Sequence, residues 1–176
     1  MISFFIMKNM AFDNFTTERL YLREISLDDA EEIYQLRSSE TVNEFVDRPR
    51  AKSIDDAKDF IQKILLLAEN DKVVFWAITI KGDPKLIGTA LYWNIAWDKD
   101  QAELGYELLP EYQGKGIMQE VLESVIAFGF NNLNFKIITA NPKKGNQPSI
   151  KLLQKLGFVL TGEDKDGYLV YHILSA

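Results

Sequence analysis

The stretch that most constrains this chain is Pro110-Glu111-Tyr112-Gln113-Gly114-Lys115-Gly116-Ile117-Met118. It ends a run that alternates apolar and polar residues and opens one with apolar residues at helical spacing. Two glycines around a lysine at such a junction allow a turn with positive φ. They also leave bare backbone N–H groups at the start of a helix, where the helix dipole favours an anion. That stretch in isolation fits either a plain turn or an anion cradle, so the segments around it must discriminate.

Upstream, residues 16–25 alternate as a half-buried strand does, and Ser26 with Asp29 forms a capping pattern. The helix that follows buries Ala30, Ile33, Tyr34 and the stem of Arg37; a second, after Ser53, carries Ala57, Phe60, Ile61, Ile64, Leu65 and Ala68. Strands over 73–80, 86–97 and 102–109 are joined by short turn-forming links, which predicts an antiparallel meander. Ile117, Met118, Val121, Leu122, Val125, Ile126 and Phe128 make the core stripe of a third helix beginning at the glycines. A continuously apolar strand over 135–140 is of the kind buried on both faces. A helix carrying Ile150, Leu152, Leu153 and Leu156 ends at Gly157, and a hairpin around Asp166-Gly167 closes the chain. The order β-α-α-β-β-β-α-β-α-β-β is an α/β (mixed α+β) chain with a central, mostly antiparallel mixed sheet of about seven strands and about four helices.

No Pro/Gly/Ser-rich linker divides the sequence, so residues 14–176 read as one domain behind an N-terminal extension over 1–13. The apolar Met1-Ile2-Ser3-Phe4-Phe5-Ile6-Met7 has no basic lead and no small-residue cleavage site, so it does not read as a signal peptide. No run reaches the roughly 20 apolar residues that span a bilayer, and neither a membrane nor a secreted location is expected, but the cytoplasm. Acidic residues outnumber basic ones 26 to 20, a field that repels nucleic acid and suits amine-bearing partners. There is no cysteine and a single histidine, His172, inside an apolar strand-like run. Thiol nucleophiles and cysteine-rich or multi-histidine metal sites are thereby excluded, no metal is expected, and His172 reads as a strand residue.

Two phosphate loops fail on spacing: a dinucleotide fingerprint needs glycine where Gln119 stands, and a nucleoside-triphosphatase loop needs it where Leu109 stands. What remains, Gln113 to Met118 between a strand ending Leu108-Leu109-Pro110 and an amphipathic helix, resembles the coenzyme A pyrophosphate loop of the GNAT superfamily of N-acetyltransferases. That family usually has glycine or alanine where Met118 stands and often arginine where Gln113 stands; backbone donors survive both departures. Further segments resemble the Rim-type branch, whose named members acetylate ribosomal-protein N-termini. These are Thr17-Glu18-Arg19-Leu20 with Leu22-Arg23 and Asp29-Ala30; Ala102-Glu103-Leu104-Gly105-Tyr106 with Leu108; and Asn146 with Ser149, Leu152-Leu153 and Lys155-Leu156-Gly157-Phe158.

The resemblance implies a GNAT-like fold, acetyl-CoA as cosubstrate, and a pantetheine arm lying between the strand that ends at Leu108 and the strand over 135–140. Leu108 and Leu109 would pair with that arm through their backbones, and Gln113, Gly114, Lys115, Gly116, Ile117 and Met118 would surround the diphosphate. Transfer needs a base for the amine, and strand alternation puts Glu103, Gly105 and Glu107 on one face. Glu103 is the candidate base, since a carboxylate near the floor of an apolar cleft has a raised pKa; a solvated glutamate is the alternative reading, and Glu107 a second candidate. Gly105 makes room there and marks a candidate bulge. A backbone N–H near Leu108 would polarise the thioester carbonyl.

Many family members use a helix tyrosine as acid; Leu153 occupies that place here, and the Rim-type resemblance points to Ser149 instead, with Asn146 bonding the pantetheine or the amine. The same Asn146 and Pro148 also suit simple helix capping. Lys143 and Lys144 could approach a coenzyme phosphate or lie in solvent, and Tyr92, Trp93 and Trp97 pack or line the acceptor cleft. The function implied is acetylation of a primary amine, a protein N-terminus among the options, by a monomer or homodimer. A small-molecule amine, antibiotic or polyamine acetyltransferase and a catalytically silent CoA-binding regulatory module are the alternatives.

Overall fold

The computed structural model describes residues 14–176; the extension expected over 1–13 lies outside them. Among the described residues eight strands form one sheet in the order β1-β2-β3-β4-β5-β6-β8-β7. They are β1 (Phe15–Thr16), β2 (Leu20–Arg23), β3 (Val74–Ile80), β4 (Leu86–Ala96), β5 (Gln101–Leu108), β6 (Ile137–Ala140), β7 (Val159–Glu163) and β8 (Leu169–Leu174). The helices are α1 (Ala30–Ser38), α2 (Glu40–Asn43), α3 (Ile54–Glu69), α4 (Ile117–Asn131) and α5 (Gln147–Lys155). Every neighbouring pair is antiparallel except β5 and β6, which run parallel.

The meander β3-β4-β5 and the closing hairpin lie where the turn residues predict. Two elements go beyond the expectation. A two-residue β1 is too short to show alternation, and α2 spans four residues capped by Ser39. The strand expected from Phe135 begins at Ile137, and Phe135 instead packs its ring against Tyr92 with centroids 5.2 Å apart. Capping boxes form at Ser26 with Asp29 and at Ser53 with Asp56, each satisfying N–H groups that a helix start leaves open. Gly105 pairs regularly with Leu91, so it marks no bulge; the irregularity in that ladder falls on β4 between Trp93 and Ala96.

The centre of the sheet, β3 and the first half of β4, is buried on both faces, whereas β6, expected to be buried on both faces, leaves Ile137 and Thr139 only half-buried, and β7 is exposed. Ile33, Leu36, Ala57 and Ile61 from α1 and α3 meet Phe75, Ala77 and Leu86 on one side. On the other, Val121, Leu122, Val125 and Leu153 from α4 and α5 meet Leu20, Leu22, Trp76, Tyr92 and Leu104. Two-sided burial explains why β3 reads as a continuous apolar run and not an alternating one. α4 approaches the sheet closely at Gly129. A Cβ there would come within 2.5 Å of Tyr92 Oη, whose hydroxyl donates to the Val125 carbonyl at 2.8 Å. Gly129→Ala is therefore expected to destabilise the fold by about 1–3 kcal/mol through overpacking, read as a lower denaturant midpoint; an unchanged midpoint would show that this contact is not tight.

Candidate active site

The parallel ladder between β5 and β6 is brief. It pairs Gln101 with Ile137, Ala102 with Ile138 and Glu103 with Thr139, and stops there although β5 continues to Leu108. Leu109 N–H donates to the Ile87 carbonyl at 2.9 Å, and Gly88 pairs with Leu108. Antiparallel alternation along that register turns the N–H groups of Glu107 and Gly105 toward β4, and those of Tyr106 and Leu108 toward the vacated β6 side. The result is a wedge with an open strand edge along one wall, able to hydrogen-bond an extended amide-bearing chain as a further strand would. Leu109 does not present its N–H to this wedge. The Leu108 carbonyl is already taken by the Gln113 amide, 2.9 Å away.

At the wide end of the wedge stands the glycine motif. Gly114 and Gly116 have φ of 72° and 73°, in the left-handed region, and Gly116 caps α4. The first internal bond of α4 runs from Glu120 N–H to the Gly116 carbonyl. The N–H groups of residues 114–119 have no partner among the described residues, so a run of donors opens outward at the positive end of a fifteen-residue helix. A clamp behind the loop aims them. Arg19 Nη1 donates to the Lys115 carbonyl at 3.1 Å, and in a trans peptide that turns the Gly116 N–H the opposite way. Arg19 is itself held by Glu120, which accepts from Arg19 Nε at 2.6 Å, Arg19 N at 2.8 Å and Thr17 Oγ1 at 2.5 Å. Burial raises the Glu120 pKa, but the bonds from Thr17 and Arg19 outweigh it and hold the carboxylate below its usual range. Lys115 leans over the Tyr112 ring at 5.8 Å, Ile117 is buried, and Met118 packs at the margin of the core.

The two faces of β5 carry different chemistry. On the α1/α3 face Glu103 is half-buried and accepts from Asn94 Nδ2 at 2.9 Å. Asn94 sits at the β4 irregularity with φ 46°, which aims its amide. Burial pushes the Glu103 pKa up, the Asn94 bond opposes this, and the charge of Asp164 adds to the rise. Trp93, paired with Glu103 and 43% exposed, flanks it; Tyr92 and Trp97 pack in the core. On the α4/α5 face Tyr106 Oη and Ser149 Oγ share a hydrogen bond of 2.5 Å. Burial raises the Tyr106 pKa to about 12, with the Ser149 bond pulling against it.

Asn146 caps α5 by accepting from Ser149 N–H at 3.3 Å, which leaves its amide nitrogen for a ligand. Lys143 is bonded to Asp47 at 2.5 Å and the largely exposed Lys144 to Glu163 at 3.0 Å. Glu107 is paired with Arg48 at 2.6 Å. His172 stays within β8, opposite Thr139. Among the described residues no three His, Cys, Asp or Glu side chains gather as a metal site, and no helix is long and apolar enough to cross a membrane.

Sequence reasoning missed three features. Tyr106 was legible as a polar tip on an otherwise apolar strand face, but its partner lies 43 positions away. The Arg19–Glu120 clamp spans 101 positions. Asn141 directly follows β6 at the wedge, and its Oδ1 is buried without a hydrogen-bond partner. Such an atom costs roughly 1–3 kcal/mol unless something donates to it.

Comparison with known proteins accords with this geometry. Residues 19–159 match the family model described as an acetyltransferase (GNAT) domain. This chain belongs to the GNAT acetyltransferase family. It is an acyl-CoA-dependent N-acetyltransferase in an α/β fold of the family type. It is 34% identical over 146 residues to YoaA, an uncharacterised N-acetyltransferase of Bacillus subtilis, covering 83% of this chain and 82% of that one. It is 33% identical over 100 residues to the ribosomal protein uS5-alanine N-acetyltransferase of Escherichia coli, covering 53% and 52% of the two chains. The crystal structure of ribosomal-protein-S5-alanine acetyltransferase from Vibrio fischeri superimposes with a TM-score of 0.79 at 26% identity, over 92% and 96% of the chains. Rim-type relatives are thus among the similar proteins, as the Thr17, Ala102 and Asn146 segments imply.

GNAT acetyltransferases use acetyl-CoA, and the residues present fit it. The outward amides of 114–119 suit a diphosphate, the free edge of β5 suits the pantetheine amides, and the orphan Asn141 Oδ1 awaits a donor such as one of those amides. Gly116→Asp is expected to weaken acetyl-CoA binding at least tenfold in calorimetry by setting a carboxylate against the diphosphate. Gly116→Asn, which tolerates the same φ without the charge, should lose much less; equal affinities for all three proteins would contradict the loop assignment.

Proposed function

We propose that the wedge binds acetyl-CoA and that Glu103 accepts, directly or through one water, the proton of a primary amine entering from the α1/α3 face. The observation that carries this reading is the early end of the β5–β6 ladder beside the outward amides of α4: two separate sets of backbone donors, Tyr106 and Leu108 on the strand that bears Glu103 and residues 114–119 at the anion cradle, flank one wedge. Acetyl-CoA supplies an activated thioester. The chain's own groups do the rest. The N–H groups of Tyr106 and Leu108 face the place where negative charge develops on the carbonyl oxygen. Gln113, Lys115, Ile117 and Met118 shape the diphosphate end, and Asn146 with Asn141 fixes the arm. As the C–N bond forms and the C–S bond breaks, the amine proton passes to Glu103 and charge appears on sulfur, next to Ser149.

Magnitudes decide what Ser149 and Tyr106 do there. A thiol ionises near 8.5, whereas Tyr106 sits at about 12. Complete proton transfer from the phenol to the thiolate would be uphill by several kcal/mol. The pair therefore serves as a hydrogen-bond donor to sulfur, Ser149 in contact and Tyr106 orienting it, in the place where Leu153 offers no hydroxyl. The uS5-alanine relatives favour a protein N-terminal α-amine as acceptor, and a cytoplasmic setting, over a small amine. The half-buried, pKa-raised Glu103 argues against a silent binding module.

The test is the pH profile. Because the Glu103 pKa is raised, wild-type kcat/KM for the amine should climb as that carboxyl loses its proton above the ordinary carboxylate range, and more slowly thereafter with the amine's own ionisation. Glu103→Gln should lack the first rise and run about 10²-fold slower on its plateau, measured by thiol release. Superimposable profiles for the two proteins would remove Glu103 as base.

A further inference from the structure

The α1/α3 face of the wedge carries two guanidiniums, of which only one has an ion-pair partner among the described residues. Arg48 lies in the connection between α2 and α3 and reaches β5, where Nη2 meets Glu107 Oε2 at 2.6 Å. Its Nε donates to Asn43 Oδ1 at 2.6 Å, and Asn43 is a buried side chain whose amide is bonded to the Leu36 and Ser39 carbonyls at 2.8 and 2.7 Å. A buried asparagine whose amide nitrogen is anchored to the backbone while its oxygen holds a guanidinium is a positioning device. The connection is pinned on its other side by Asp47, which accepts from Lys143 and Tyr168 at 2.5 Å each.

Arg37, near the end of α1, is the second cation. Its guanidinium lies 3.9 Å over the Phe60 ring and makes no ion pair or hydrogen bond among the described residues. It is half-buried. Burial lowers its pKa first, repulsion from Arg48 lowers it further, and Glu107 only partly compensates. Arg48 is thus paired with Glu107 while Arg37 has no ion-pair partner among the described residues, in a chain whose net charge is −6. A half-buried arginine stays charged, and its unpaired fork can accept a further anion. Glu107 and Glu103 project from the same face of β5, so that anion would lie along the strand from the base.

We propose that Arg37 and Arg48 receive a carboxylate or phosphate on the amine acceptor, so that preferred acceptors carry an oxyanion beyond the amine that is acetylated. The proposal rests on the reading of the Glu103 side as the acceptor side. The planar forks of the two arginines suit oxygens of either group, with Arg37 free to offer a bidentate face and Arg48 fixed by Asn43. The amine end of the same molecule is drawn toward Glu103 and the neighbouring charge of Asp164. Length between amine and oxyanion, more than side-chain bulk, becomes the selection rule.

The experiment follows arginine Nε–Hε signals by NMR in the full chain saturated with CoA, so that the loop amides are already occupied. Probes are acetate, inorganic phosphate, and ω-amino carboxylates of increasing length against the same carboxylates without the amine. Saturable shifts at Arg37 and Arg48 are expected with acetate or phosphate, the tighter of the two naming the oxyanion. One length of amino carboxylate should bind at least tenfold more tightly than its amine-free counterpart. Arg37→Gln, or Arg37→Met to keep the contact with Phe60, should weaken binding at least tenfold. Still arginine signals, affinity unchanged in both variants, or no amino carboxylate binding better than its counterpart would each overturn the proposal. Addition of CoA reports separately on the loop: if the amides of Gly114 and Gly116 do not move, the coenzyme reading fails; if they move while Arg37 does not, only the acceptor proposal fails.

Discussion

The structure depends on a hydrogen-bond ladder that stops early. Three residue pairs tie β5 to β6, and beyond Glu103 and Thr139 the strands part while β5 remains fixed to β4. A strand edge left open inside a sheet invites another strand. Here it is flanked by two packed cores and can be met by a narrow extended ligand that supplies matching amide groups. The glycine motif lies at the end of that edge because the same strand leads, through a short turn at Pro110–Tyr112, into α4. Edge and cradle are therefore one continuous piece of backbone, and the clamp between Arg19, just before β2, and Glu120 of α4 fixes how the second is turned relative to the first.

The alternation of β5 then divides the chemistry. Glu103 and Glu107 fall on the α1/α3 side, Tyr106 on the α4/α5 side, and the open edge lies between them. Burial raises the pKa on both sides with opposite use: it gives a carboxyl greater affinity for a proton and keeps a phenol protonated. Besides the loop amides, the Asn141 Oδ1 without a hydrogen-bond partner and the Arg37 guanidinium without an ion pair are polar groups left open among the described residues. Under the proposed function, a bound ligand would offer each of them a partner.

Much of this was legible in the sequence, for physical reasons. Glycines at positive φ, serine capping boxes and turn dipeptides act over a few residues, so the junction at Gly114–Gly116, the caps at Ser26 and Ser53, and the closing hairpin could be read directly. Strand parity placed Glu103 and Glu107 together. Contacts across the fold carry no such local signature. Tyr106 with Ser149, Arg48 with Glu107 and Arg19 with Glu120 join positions 43, 59 and 101 apart. The bulge assigned to Gly105 belongs to β4, where the register shifts between Trp93 and Ala96, and the glycine instead makes room for Leu91, to whose side chain a Cβ would come within 2.9 Å. The carboxylate partners of Lys143 and Lys144, Asp47 and Glu163, lie 96 and 19 positions away and likewise leave no local signature.

The claim on which the account rests is that main-chain N–H groups at the head of α4 hold the diphosphate of acetyl-CoA. Titration of the ¹⁵N-labelled chain with acetyl-CoA, followed at the amides of Gly114, Lys115 and Gly116, tests it most directly. The account predicts large, saturable shifts at these three amides together with Leu108 and Tyr106 on the open edge. Binding of acetyl-CoA that leaves those five signals in place while moving others would contradict it.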